Sequence, residues 1–64
     1  MFDRTVLRER VEQMHEKIVS AAAEYSRLAG ASQDQQAKDQ FERMAREEHR
    51  HVELTQRLLE ILDG

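Results

Sequence analysis

Sixty-four residues allow one small domain, and a chain this short buries too little surface to be secure without a disulfide, a metal or a partner. It has no cysteine, which excludes disulfides, thiolate metal sites and thiol chemistry. Thirteen acidic and ten basic side chains, net charge −3, are mixed along the whole length, and three aromatics make no stacking platform, so no nucleic-acid partner is expected. The longest apolar run covers only residues 21–23, and MFDRTVLRER lacks the apolar core of a signal peptide. The expectation is a soluble, cytoplasmic chain with no membrane partner.

No proline, two glycines and abundant charge read as helix throughout. Asp3 is placed to cap a first helix, with Phe2 stapled onto Leu7. From there Leu7, Val11, Met14, Ile18, Ala21, Ala22, Tyr25, Leu28 and Ala29 keep a helical period. Gly30 sits where a left-handed residue would close this helix. Ser32 opens Ser-Gln-Asp-Gln, a capping-box pattern for a second helix, with Asp34 in its first turn. That helix carries Phe41, Met44, Ala45, Glu48, Val52, Thr55, Leu59 and Leu62 on one stripe. Asp39–Arg43, Glu42–Arg46 and Glu53–Arg57 space acid before base by four on the solvent face.

The expected architecture is all-α: one antiparallel two-helix hairpin over residues 1–64, with helix 1 about 3–29, a turn 30–33 and helix 2 about 33–62. Leu54, Leu58 and Ile61 widen the apolar arc of helix 2 past a single seam. An arc that wide wants more than one neighbouring helix, which predicts a homodimer, or a higher homo-oligomer, built as a four-helix bundle.

Glu48 is the anomaly. It puts a carboxylate near the middle of an apolar stripe, and His51 follows three residues later on the flank. A carboxylate in an apolar layer is costly unless a charged or hydrogen-bonding group meets it. Glu-x-x-His on a bundle helix is a ligand pair of carboxylate-bridged metal sites, so Glu48 and His51 are the candidate metal ligands. The bland reading is a hydrogen-bonded or ionic cluster with a neighbouring Arg or Lys. His49 points away from His51, and Glu47 is placed to support the pair from the stripe edge. His15, flanking the stripe of helix 1, reads as a packed or solvated ring rather than a ligand.

Residues 25–51, YSRLAGASQDQQAKDQFERMAREEHRH, resemble the helix-turn-helix core of the ferritin-like superfamily. The resemblance is closest to the encapsulated ferritins and more distant to the rubrerythrins. Tyr25, the Ala31-Ser32-x-Asp34 turn, Glu47-Glu48 and His51 stand in the family's order, with the same spacing from the tyrosine to the Glu-x-x-His. One family position differs: Ile18 stands where helix 1 supplies a metal-binding glutamate. The resemblance implies hairpins that dimerise around iron; two copies of Glu48 and His51, by their donor types, would also suit zinc or manganese. Glu48 would be a bridging or terminal carboxylate, His51 a terminal nitrogen ligand and Tyr25 a hydrogen-bond donor beside them. If the site is catalytic, the implied reaction is ferroxidase-like oxidation of Fe(II). The resemblance alone implies an encapsulin shell as a partner. The competing expectation is a metal-free assembly or adaptor module that keeps the fold without the chemistry.

Overall fold

The computed structural model describes residues 3–63. Two α-helices, α1 (Arg4–Ala31) and α2 (Gln35–Asp63), pack against each other as an antiparallel hairpin, and no strand occurs among the described residues. The molecule measures 47 × 16 × 14 Å, the length of one helix and the width of two. No helix among the described residues is long and apolar enough to cross a membrane.

Asp3 caps α1 as its sequence position suggests. Its backbone is extended (φ −78°, ψ 173°), and its Oδ1 accepts from the Val6 amide at 2.9 Å. The proposed Phe2–Leu7 staple and the terminal Gly64 lie outside the described residues.

The turn departs from the sequence reading in two ways. Gly30 has no positive φ; it is an ordinary helical residue, and α1 runs on through Ala31. Ser32 ends the helix instead. Its amide donates to the Ala29 carbonyl at 3.3 Å and its hydroxyl to the Leu28 carbonyl at 2.7 Å, so terminal carbonyls are satisfied without a left-handed residue. With Ser32 committed to α1, the cap of α2 falls to Asp34, whose Oδ2 accepts from the Ala37 amide at 3.1 Å. A carboxylate there also faces the positive end of the helix dipole.

The seam between the helices follows a three-four spacing on both sides. In α1 it runs through Val11, His15, Ile18, Ala22, Tyr25 and Ala29; in α2 through Phe41, Ala45, Glu48, Val52, Thr55, Leu59 and Leu62, all buried or half-buried. Alternation at this spacing keeps both stripes in register along a left-handed crossing. Among the described residues only Ala22, Ala29, Ala45 and Thr55 are buried, and no large side chain is. Small residues at the seam bring the two helix axes close. They also leave little apolar volume to stabilise the pair.

The open end is clasped by arginines. Arg4 donates to the Ile61 and Leu62 carbonyls, both at 2.8 Å, satisfying acceptors that the end of α2 leaves free. Arg8 pairs with Asp63 and, at 3.5 Å, with Glu12. The hydrogen bond to Asp63, with the charges of Asp63 and Glu12 behind it, raises the Arg8 pKa above its ordinary value. The expected Asp39–Arg43, Glu42–Arg46 and Glu53–Arg57 pairs are not closed among the described residues; Asp39 instead accepts from Gln35 at 2.8 Å. Long exposed side chains have little to gain from being fixed in such pairs.

Candidate metal centre

Helical geometry alone brings Glu48 and His51 together, since residues three apart share a face. Their side chains meet, with Glu48 Oε1 3.2 Å from His51 Nδ1. The Glu48 side chain is only 21% exposed, because it lies on the seam, whereas His51 on the flank is 52% exposed. One member of the pair is thus held by packing and the other faces solvent.

Two donor atoms 3.2 Å apart fit a shared hydrogen bond, and they also fit adjacent positions on one cation. With metal–ligand bonds of roughly 2.1 Å, that separation corresponds to an angle near ~100° at the metal. A carboxylate and an imidazole form a mixed hard and borderline donor set that suits iron, zinc or manganese. Among the described residues no group of three or more His, Asp or Glu side chains gathers closely enough to hold an ion. One chain therefore offers half a coordination sphere.

The hairpin explains why α1 adds nothing. Ile18 lies thirteen residues before the end of α1 at Ala31, and Glu48 lies thirteen residues after the start of α2 at Gln35. The His15–Thr55 contact nevertheless offsets the helices by about one turn from that symmetric count, so across the seam Glu48 faces Ala22 and Ile18 faces Val52. Where a second carboxylate would complete a pair, α1 presents an aliphatic side chain.

The remaining histidines are not drawn in. His15 Nδ1 lies 2.6 Å from Thr55 Oγ1 across the seam. The Thr55 hydroxyl reaches the His51 and Val52 carbonyls at 3.0 and 3.1 Å, so its single proton is committed to its own helix and its oxygen accepts from His15 Nδ1–H. His15 is thus a packed ring with a polar partner, as its flanking position suggests. His49 lies on the opposite face, in a shallow groove near the turn with Lys38, Glu42 and Arg46. Glu47 is exposed and shares an outward depression with Arg50, His51 and Leu54. Tyr25 is half-buried on the seam, and its hydroxyl bonds to no protein group among the described residues.

Sequence reasoning did not find the Arg4 and Arg8 clasp or the His15–Thr55 bond. Each joins residues 40 or more apart, and only the exact offset of the two helices decides which side chains meet.

Comparisons with protein-family models, with curated proteins and with solved structures find no match to this chain. A ferritin-like reading therefore rests on the residues themselves.

Proposed function

We propose that this chain is a ferritin-like metal-binding hairpin that works as a homodimeric four-helix bundle, with Glu48 and His51 as the ligands each copy contributes. The observation that carries it is a half-buried carboxylate held 3.2 Å from an imidazole in the Glu-x-x-His arrangement. Iron is the first choice, with zinc or manganese as alternatives. Two ligands per chain make a second copy necessary for a closed site. Bound iron would supply redox chemistry, and Fe(II) oxidation is the reaction class the resemblance implies. Of the chain's own groups, Glu48 would hold the ion from the seam, and His51, free to turn at the surface, would close on it.

Anaerobic titration of Fe(II) or Zn(II), followed by calorimetry, tests this reading. The expected result is at least one ion per dimer. Heat no greater than that of the Glu48→Ala, His51→Ala double variant sinks it. If oxidation follows, oxygen added to the Fe(II)-loaded protein raises the near-ultraviolet absorbance.

A second reading is a metal-free assembly module, and the aliphatic side chains that α1 sets nearest Glu48 on the seam, Ala22 and Ile18, favour it. There the Glu48–His51 contact is only a hydrogen bond that satisfies a half-buried carboxylate.

A further inference from the structure

The hairpin is under-buried for its size. It exposes 5196 Å², about a fifth more than the roughly 4300 Å² expected of a folded monomer of its mass. The excess is comparable to the ~800 Å² that each partner buries in a standard interface. The exposed large apolar side chains run from 36% exposure at Leu28 to 59% at Ile61.

Most of these residues share one face. At about 100° per residue, Leu7, Met14, Ala21 and Leu28 lie roughly a quarter turn to one side of the α1 seam. Met44, His51, Leu54, Leu58 and Ile61 lie a similar turn to one side of the α2 seam, and because the helices are antiparallel the two stripes look the same way. Val19, exposed at 44%, is the exception on the other face.

The two stripes also share a midpoint. His15 and Thr55 touch, which fixes where side chains of the two helices meet in height. The middle of the stripe from Leu7 to Leu28 lies two and a half residues turnward of His15, and the middle of the stripe from Met44 to Ile61 lies two and a half residues turnward of Thr55. A two-fold axis through that level, perpendicular to the helices and in the plane of the face, maps the α1 stripe onto itself; in α2 it exchanges Met44 with Ile61 and His51 with Leu54 and sets Leu58 against Glu47.

We infer that this face is covered by a second copy of the same chain, laid antiparallel so that the turn of one hairpin lies over the open end of the other. This rests on the homodimer proposed above and specifies its face and direction. Leu7 meets Leu28 of the second copy, Met14 meets Ala21, and Ile61 meets Met44. In height the two His51 residues fall about 4.5 Å apart and the two Glu48 residues about 13.5 Å apart. This arrangement therefore brings the two His51 rings near each other but does not bring both Glu48 carboxylates to one ion. Packing the copies with like ends together would instead set Leu7 against the Ile61 end of the other α2.

The chain has no cysteine, so single cysteines report the arrangement directly. Leu7→Cys and Leu28→Cys proteins are prepared separately, mixed metal-free, and oxidised or bridged with a short bis-maleimide. The mixture should cross-link at least several-fold more than either protein alone. A dominant Leu7→Cys self-cross-link overturns the arrangement. So does preferential linkage of Leu7→Cys to Ile61→Cys, or a folded 7.6 kDa species in sedimentation at tens of micromolar. Repeating the mixture in the Glu48→Ala, His51→Ala background separates the two ideas. Cross-linking that persists there, with no metal heat in the parent protein, leaves the interface standing and removes only the metal. Met14→Lys, which sets a charge against Ala21 of the second copy, should abolish the mixed cross-link while Val19→Lys, on the opposite face, leaves it intact; the reverse pattern places the interface elsewhere.

Discussion

Replacing Thr55 with Val keeps the side-chain shape and removes one hydroxyl, which makes it a direct test of how the seam is held. In the native hairpin that oxygen accepts from His15 Nδ1–H at 2.6 Å. Without it, the imidazole N–H is left in a half-buried position between two helices, with valine methyls where its acceptor was. An unsatisfied buried donor costs about 1–3 kcal/mol, and partial exposure of His15 places this case in the lower half, about 1–2 kcal/mol. For a domain of this size each kcal/mol moves the midpoint by roughly 4–8 °C, so Tm should fall by about 5–15 °C. Thermal unfolding followed by circular dichroism at 222 nm, at one fixed protein concentration because association adds to apparent stability, measures this. The double variant His15→Leu, Thr55→Val removes donor and acceptor together and should recover most of the loss. If Thr55→Val changes Tm by less than about 2 °C, or if the double variant is no better than the single, the bond is not what aligns the helices.

Other perturbations separate local effects. Gly30→Ala should stabilise by about 0.5–1 kcal/mol, since the position is helical and an added Cβ meets nothing within 4 Å; a left-handed Gly30 would give the opposite sign in the same melt. Asp34→Ala should cost about 1 kcal/mol through loss of the α2 cap, readable by urea titration. Arg8→Ala should leave Tm nearly unchanged in high salt, because the Arg8–Asp63 pair is solvent-exposed and screened.

What could be read from the sequence was whatever depends on periodicity. Two helices, their antiparallel turn, and the α2 stripe from Phe41 to Leu62 follow from spacing alone, and every residue of that stripe is buried or half-buried. The α1 stripe was less sharply defined, since it is wide enough to serve two neighbours. Leu7, Met14 and Leu28 share its period but lie off the seam, exposed at 40%, 53% and 36%. Periodicity fixes a direction on a helix, and only the partner's position decides which part of a broad arc is covered. At the turn the competition was between two caps of similar strength. A glycine and a serine two residues apart can each end a helix, and here the serine's two hydrogen bonds end it. The Glu48–His51 contact was legible because it is local, three residues along one helix. The His15–Thr55 bond was not, because it depends on an offset between helices that no local pattern encodes.

The most searching test of the metal reading is Ile18→Glu. Ile18 lies on the seam one helical turn from the level of Glu48, where the resemblance puts a metal-binding glutamate, so a glutamate there adds a second carboxylate to the neighbouring layer. Without metal the change should destabilise. It removes an aliphatic side chain from the seam and sets two like charges near each other, together costing about 2–3 kcal/mol. A cation reverses the sign of the second effect. Held between two carboxylates and His51, it would bind the variant more tightly than the parent, and ligand at a hundred times its Kd returns about 2.7 kcal/mol of apparent stability. The readout is therefore the difference of two differences: the rise in Tm on adding Zn(II) to Ile18→Glu minus the rise on adding it to the parent. A metal site at Glu48 and His51 predicts a positive value. Equal rises in both proteins, or none in either, mean that α1 and α2 do not converge on an ion at this level. Glu48 is then a carboxylate hydrogen-bonded by its own helix neighbour, and the hairpin is an assembly module.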